Sequence, residues 1–379
     1  MNLNRFFALF GIPVLFFVCS NPCSSQDGTF SQFFAQPMLL NPALTGLSEG
    51  FAIGGQIRDQ WFRAPVGWRT MGLCAECRAE QIGTGLGVFF KNDTEGAGML
   101  TTNTLGFSIA PTIKIADNSA IHLGLSASWS SRTVDWDQLI FSDQIYEYDP
   151  DLILDGTPST APRADAVHMA SVGGGFAFRS DLPNIFGNSK IHKNPFFSIG
   201  GAIEHLRLLG KTEESQFGIS NVNTPFRLTG HAALVLPLPT TWVGSHVKYL
   251  NETISLRIQQ QGSLRQYSME AESEFDRFHI GPLLHWGNRY SGLNGPGAVQ
   301  FGITGGYEFK MHQGETFLLL DMGYDFPAGG VGTQTGGAVE ISLRWRFAKH
   351  CAIRLPFLKP NKKVKCPRFG GSGTESTRN

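Results

Sequence analysis

From residue 51 to residue 348 apolar and polar side chains alternate. In Leu105-Gly106-Phe107-Ser108-Ile109-Ala110-Pro111-Thr112-Ile113-Lys114-Ile115 the odd positions are apolar and the even ones small or polar. Ile121, Leu123, Leu125, Ala127 and Trp129 stand in the same way against His122, Gly124, Ser126, Ser128 and Ser130. Val299, Phe301, Ile303, Tyr307 and Phe309 oppose Gln300, Thr304, Glu308 and Lys310; Val339, Ile341, Leu343, Trp345 and Phe347 oppose Glu340, Ser342, Arg344 and Arg346. A period of two held this long predicts long strands. Fourteen are expected, near 51–61, 69–79, 81–90, 101–115, 119–133, 166–179, 195–206, 226–238, 241–250, 253–262, 274–286, 297–310, 315–326 and 335–348, with 263–272 a candidate fifteenth.

Soluble sandwiches use strands of about 5–6 residues, whereas a tilted membrane-crossing strand needs about 9–11. The second figure fits. Arg344, Arg346, Glu308 and Lys310 would be buried in a sandwich but would face a wet lumen in a barrel. The expected fold is therefore all-β: a transmembrane outer-membrane β-barrel of about 14 antiparallel strands with both termini periplasmic. Connections after odd strands should then be external and longer, as 134–165, 207–225, 287–296 and 327–334 are, while 180–194, 251–252 and 263–273 depart from the rule. Pro111 and Pro282 interrupt strands and predict local bulges. Inward glycines (Gly83, Gly85 and Gly87; Gly173 to Gly175) fit either tight curvature or an internal plug.

Composition narrows the class. Charged residues are only 16% of the 379, with 31 basic and 31 acidic side chains, 45 glycines and 30 phenylalanines. The zero net charge removes the basic surface that nucleic-acid binding needs. Mean hydropathy is −0.09, and no stretch beyond the first 25 residues is apolar enough for a spanning helix. Arg5, the apolar run Phe6 to Ser20 and the small residues Cys23, Ser24 and Ser25 read as a secretory signal peptide cut before Gln26. The residues around Cys19 and Cys23 fit a lipoprotein signal poorly. The expected organisation is a signal peptide (1–25), an N-terminal periplasmic or lumenal segment (26–50), the barrel (51–348) and a basic periplasmic tail (349–379).

Candidate chemistry is sparse, and no cofactor or metal is expected. Gly46-Leu47-Ser48-Glu49-Gly50 matches a nucleophile-elbow pattern, but a strand follows where a helix is required, so it reads as a turn. Ser128 and Ser130 share a face with His122, and His279 shares one with His285, as a polar lumen wall requires in any case. Cys74 and Cys77, three apart on a strand, point to opposite faces, which argues against a zinc knuckle. A Cys351–Cys366 disulfide is favoured in an oxidising compartment. The acidic stretch 134–165, with Asp135, Asp137, Asp143, Glu147, Asp149, Asp151, Asp155 and Asp165 against Arg163, lacks calcium-loop spacing and reads as a solvated external loop.

Several ordered patches resemble the PorP/SprF family of outer-membrane barrels in type IX secretion and gliding. They are Phe30-Ser31-Gln32 near the mature start, Asn41-Pro42-Ala43 with Gly46, Arg58-Asp59-Gln60-Trp61 with Trp68, and Phe141-Ser142-Asp143-Gln144. Gly200-Gly201-Ala202 with Glu204-His205-Leu206, Gly323-Tyr324-Asp325-Phe326, Gly336-Gly337-Ala338-Val339-Glu340-Ile341 and Lys365-Cys366-Pro367-Arg368-Phe369 follow in order. The chain departs from the family pattern in extending from Gly370 to Asn379 beyond that ending, and in the Cys74–Cys77 pair. The resemblance implies a non-enzymatic role in export or surface anchoring of cargo such as adhesins. The implied partners are cargo with a C-terminal sorting domain, a peptidoglycan-binding periplasmic lipoprotein, translocon components and outer-membrane lipid. The alternative is a passive channel or hydrophobic-solute transporter on a similar barrel.

Overall fold

The computed structural model describes residues 27–47, 50–64, 67–79, 82–96, 99–141, 145–146, 149–153, 166–183, 195–209, 225–240, 246–287, 299–311, 316–326 and 335–347. The strands are β1 (Phe51–Gln60), β2 (Trp68–Ala79), β3 (Thr84–Glu95), β4 (Leu100–Ala116), β5 (Ser119–Thr133), β6 (Ile145–Tyr146), β7 (Asp149–Ile153) and β8 (Val167–Asp181). They continue with β9 (Phe196–Leu209), β10 (Arg227–Leu238), β11 (Leu250–Gln261), β12 (Leu264–Phe275), β13 (Phe278–Gly287), β14 (Val299–Met311), β15 (Thr316–Asp325) and β16 (Ala338–Phe347). All but β6 and β7, a small separate hairpin, form one closed antiparallel barrel in which β5 pairs with β8. Closure is made by β1 against β16, with Phe51 opposite Phe347 and Gln60 opposite Ala338. The barrel thus begins and ends at one rim, called here the seam rim; Gln60, Trp68 and Glu95 mark the far rim.

The count is fourteen barrel strands, but two expected positions change. Residues 246–249 lie in a connection, with 241–245 outside the described residues, while 264–275 is a full strand. The predicted 274–286 strand therefore splits: Glu274 and Phe275 end β12, and β13 starts at Phe278. The bulges expected at the prolines are absent. Pro111 stays in register with Thr84, and Pro282 with Ile303. Each proline instead falls in a gap in pairing with its other neighbour, where no N–H is demanded of it. The irregularities lie at Lys114/Ala116 and in the β8–β9 ladder.

Burial is inverted relative to a soluble protein. Leu105, Phe107, Leu125, Phe176, Ile258, Phe301 and Trp345 are exposed on the outer wall, whereas Glu76, Arg179, Arg257, Glu308, Asp325, Glu340 and Arg344 are buried within. Paired aromatics ring both ends: Trp345 with Phe347 and Tyr307 with Phe309 near the seam rim, Trp61 with Trp68 and Tyr267 with Trp286 near the other. This is the wall of a membrane barrel, with an apolar band between aromatic girdles. The inward charges are largely buried rather than facing an open lumen: Arg344 pairs with Glu76 and Arg346 with Glu308, while Lys310 remains exposed.

Candidate functional site in the barrel lumen

The lumen is occupied by the chain's own N-terminal segment. Residues 27–47 contain a short helix α1 (Pro37–Leu40) and a 3-10 turn (Pro42–Leu44). Each opens with proline, whose fixed φ suits a first helical position. Asn41 ends one and caps the other: its Oδ1 accepts from the Ala43 N–H at 2.9 Å, and Gly46 then reverses the chain at φ +67°. Phe33, Leu40, Ala43, Leu44 and Leu47 pack on Ala177, Phe196 and Val235 of the wall, so the one buried apolar cluster among the described residues joins segment to barrel.

Hydrogen bonds order the segment along the barrel axis. At the far rim, the Asp27 N–H donates to Gln261 Oε1 at 3.0 Å, and Asp27 Oδ2 lies 2.8 Å from His205 Nε2. Lys91 donates to the Gly28 carbonyl at 2.6 Å and Arg257 to that of Phe30 at 2.8 Å. Deeper, the Ser31 and Gln32 N–H groups donate to the two oxygens of Glu340 at 2.7 and 2.8 Å, and Ser31 Oγ to Asp325 at 2.5 Å. Gln36 Nε2 reaches the Leu343 carbonyl at 3.2 Å, and Asn41 Nδ2 reaches those of Phe176 (3.0 Å) and Gly201 (3.2 Å) and His231 Nε2 (2.9 Å). Toward the seam rim, the Gly46 N–H donates to Glu76 at 2.8 Å, and the Gly50 carbonyl accepts from Arg78 N–H at 3.2 Å. The segment therefore threads the barrel from one mouth to the other. Asp27 and Phe347 lie at opposite rims of the barrel.

Two electrostatic clusters hold it. Arg58 Nη1 donates to Asp325 at 2.6 Å and to Glu340 at 3.3 Å, and also contacts Ser31 Oγ. At the rim, burial acts to raise the Asp27 carboxyl, but His205, Arg227 and Lys91 outweigh it and hold the group well below the usual aspartate range. The carboxylate, and with it its contribution to seating the segment, is therefore lost only as pH falls through that lowered value. Hydrogen exchange of the amides of residues 27–31 should stay slow at mildly acidic pH and accelerate only under strong acid. In Asp27→Asn that acid-dependent step should be missing.

Small wall residues make the room. A Cβ at Gly85 would overlap the Thr45 carbonyl, at Gly124 the backbone of Pro42 and Ala43, at Gly175 the Asn41 amide, and at Gly54 that of Gln36. For Gly85, Gly87 and Gly175 the plug explanation of the inward glycines applies; Gly83 sits in a turn at φ +64°, and Gly173 and Gly174 face the neighbouring strands.

The structure brings most motif residues to this site. Phe30, Ser31, Gln32, Asn41, Pro42, Ala43 and Gly46 are buried in the segment, and Gln60 and Trp61 stand at the far rim, Trp61 with φ +62°. His205 reaches Asp27 through a β-bulge: Val172 faces Leu206 and Gly174 faces Ile203, which leaves Glu204 and His205 opposite Gly173. The extra residue, with His205 at φ +62°, re-aims a side chain that strict alternation would point to lipid. Asp143, Cys366, Pro367 and Phe369 lie outside the described residues, as do Cys351 and the expected Cys351–Cys366 bond. Within them Cys77 is disulfide-bonded rather than a free thiol, and Cys74 is free, buried and 3.1 Å from Gln36 Oε1. Sequence reasoning held Arg58, Asp325 and Glu340 only as members of family-resembling patches and missed Arg257, whose only signal was charge at an inward position. The lumenal Ser and His groups pair with wall neighbours, His122 with Thr112, Ser128 with Ser171 and His285 with Ser268.

An apolar outer wall and a lumen filled by the chain itself define a plugged membrane β-barrel. A family model described as type IX secretion system membrane protein PorP/SprF matches residues 23–345. The chain belongs to this family, and it is an integral outer-membrane protein associated with that secretion system. No curated protein matches it in sequence. Similar solved structures include the CymD monoaromatic hydrocarbon channel, at 14% identity over 86% of this chain and 95% of that one (TM-score 0.43). A FadL homologue of Pseudomonas aeruginosa follows at 10% over 79% and 90% (0.41), and the toluene transporter TodX of P. putida at 10% over 82% and 93% (0.39). Likenesses this low say nothing about function.

Proposed function

We propose that this protein is a non-enzymatic, closed scaffold of the type IX secretion system that helps export a secreted polypeptide, such as an adhesin with a C-terminal sorting domain, or hold it at the cell surface. One observation carries this reading: the lumen is filled by residues 27–47, bonded to the wall from Gln261 at one rim to Glu76 near the other. A passive channel needs a continuous aqueous path. Among the described residues, cavities of about 120 and 70 Å3 lie between segment and wall, room for ordered water rather than for a stream of solute. In this reading the signal peptide 1–25 is removed and the seam rim faces the periplasm. The longer connections at the far rim then face outward toward cargo, and the basic stretch 349–379 meets a peptidoglycan-binding lipoprotein or the translocon.

The purified protein is expected to be silent in planar bilayers. A strain lacking the gene should lose surface display of such cargo, and the wild-type copy should restore it. A stable open pore, or unchanged display, would overturn the scaffold reading.

A further inference from the structure

At the seam rim, Cys77 is disulfide-bonded, and its partner is not Cys74, which is a free thiol. The other cysteines of the chain are Cys19 and Cys23, in the expected signal peptide, and Cys351 and Cys366, beyond β16. Cys74 looks into the lumen, where it meets Gln36, so Cys77, three residues on along β2, looks out. Leu73 on the same outward row is 52% exposed, but Cys77 is only 8% exposed and Ala79 beyond it 1%. The outer wall is thus open at mid-strand and covered at this corner.

The register fixes how far the chain's end lies from this sulfur. Cys77 stands opposite Phe51, and Phe51 opposite Phe347 at the end of β16. Two steps of about 4.8 Å across the sheet put the Cα atoms of Phe347 and Cys77 roughly 10 Å apart. The four residues from Ala348 to Cys351 span up to about 13 Å. Cys351 can therefore come within the Cα separation of about 4.4–6.8 Å that a disulfide requires. Cys366 hangs on a tether about five times longer, which lowers its effective concentration at Cys77 about tenfold.

We propose that Cys77 and Cys351 form a covalent clasp across the barrel seam. It runs from the chain just past the last strand, over β1, to the second strand, so the closing ladder is backed by a covalent bond. Its formation joins the two sulfurs, releases two protons and passes two electrons to an oxidised dithiol–disulfide exchange protein of the envelope, whose own disulfide becomes a dithiol. The two cysteines flank the two strands that close the ring and meet only once β1 has joined β16. The clasp is thus made last and seals a finished barrel.

The full chain, purified without reductant, is denatured in acid with its free thiols labelled, then cut with trypsin and a glutamyl endopeptidase. Cleavage after Glu76 separates Cys74 from Cys77. The digest should contain Cys77 linked to Cys351, with the label on Cys74 and Cys366. Cys351→Ser should leave Cys77 open to the label and lower the temperature at which the folded barrel's electrophoretic mobility is lost by about 3–6 °C. Cys366→Ser should do neither. A Cys77–Cys366 or Cys351–Cys366 link in the wild-type digest, or a Cys77 that labels as a free thiol, would overturn the clasp, and that map decides the pairing even if Cys351→Ser does not assemble. An unchanged temperature in Cys351→Ser would overturn the seal. None of these readouts involves cargo, so the scaffold reading stands or falls separately.

Discussion

Arg58→Ala should destabilise the protein by about 3–5 kcal/mol, the range for a buried charge pair broken from one side. The Arg58 guanidinium bonds Asp325 and Glu340, whose side chains retain only 2% and 1% of their exposure. Its removal leaves two carboxylates facing each other in a water-poor lumen. Glu340 keeps the Ser31 and Gln32 N–H groups and Gln56, so its hydrogen bonding survives while its charge loses its counterpart. Arg58→Lys should recover only part of the loss, because an ammonium cannot present the same planar fork. Removing all three charges together, as Arg58→Met with Asp325→Asn and Glu340→Gln, should recover more. Urea titrations in detergent, followed by tryptophan fluorescence, would measure these differences. A change below about 1 kcal/mol, the size of an exposed pair, would mean that the cluster is hydrated and does not anchor the segment.

Gly124→Val should open the lumen. A side chain there meets the backbone of Pro42 and Ala43, and backbone cannot rotate away as a flexible side chain can. Overpacking in a well-filled interior costs about 1–3 kcal/mol. Here the cheapest relief is to displace the 3-10 turn, which also forfeits the Asn41 bonds and the contact of Leu44 with the wall. The variant should conduct in planar bilayers where the wild type is silent, and its N-terminal segment should become open to protease. Gly230→Ala is the control, since nothing lies within 4 Å of a Cβ at that position, and it should behave as wild type. A silent, protease-resistant Gly124→Val would mean that the segment can seat elsewhere.

Strand positions were legible wherever a lipid face opposes a lumen face. Alternation failed at β12, whose outward positions include Arg265, Ala271 and Ser273 and so carry little apolar signal, while Val247 and Tyr249, in the connection before β11, imitate a strand. His205 was visible as part of a motif but not as a lumenal group, because a one-residue bulge inverts the face that alternation assigns. The inward glycines had two readings until their neighbours were known: Gly85 answers to Thr45, far from it in sequence. Arg58, Asp325 and Glu340 stood in three separate family-resembling patches, with nothing in the sequence to join them. Their importance comes from convergence of β1, β15 and β16 on Ser31, a three-dimensional fact with no local pattern.

The threaded path also bears on how such a molecule can be assembled. Residues 27–47 precede every described strand, yet they end inside a ring whose last seam joins β1 to β16. A ring already shut would have to swallow Phe30, Phe33 and Met38 lengthwise past the inward side chains of the wall. A sheet still open along that seam can instead curl around the segment as around a mandrel, each strand meeting its hydrogen-bond partners as it arrives. The joining of the chain's most distant strands, the step with the greatest loop-closure cost, then falls to a sheet whose curvature the mandrel has already set.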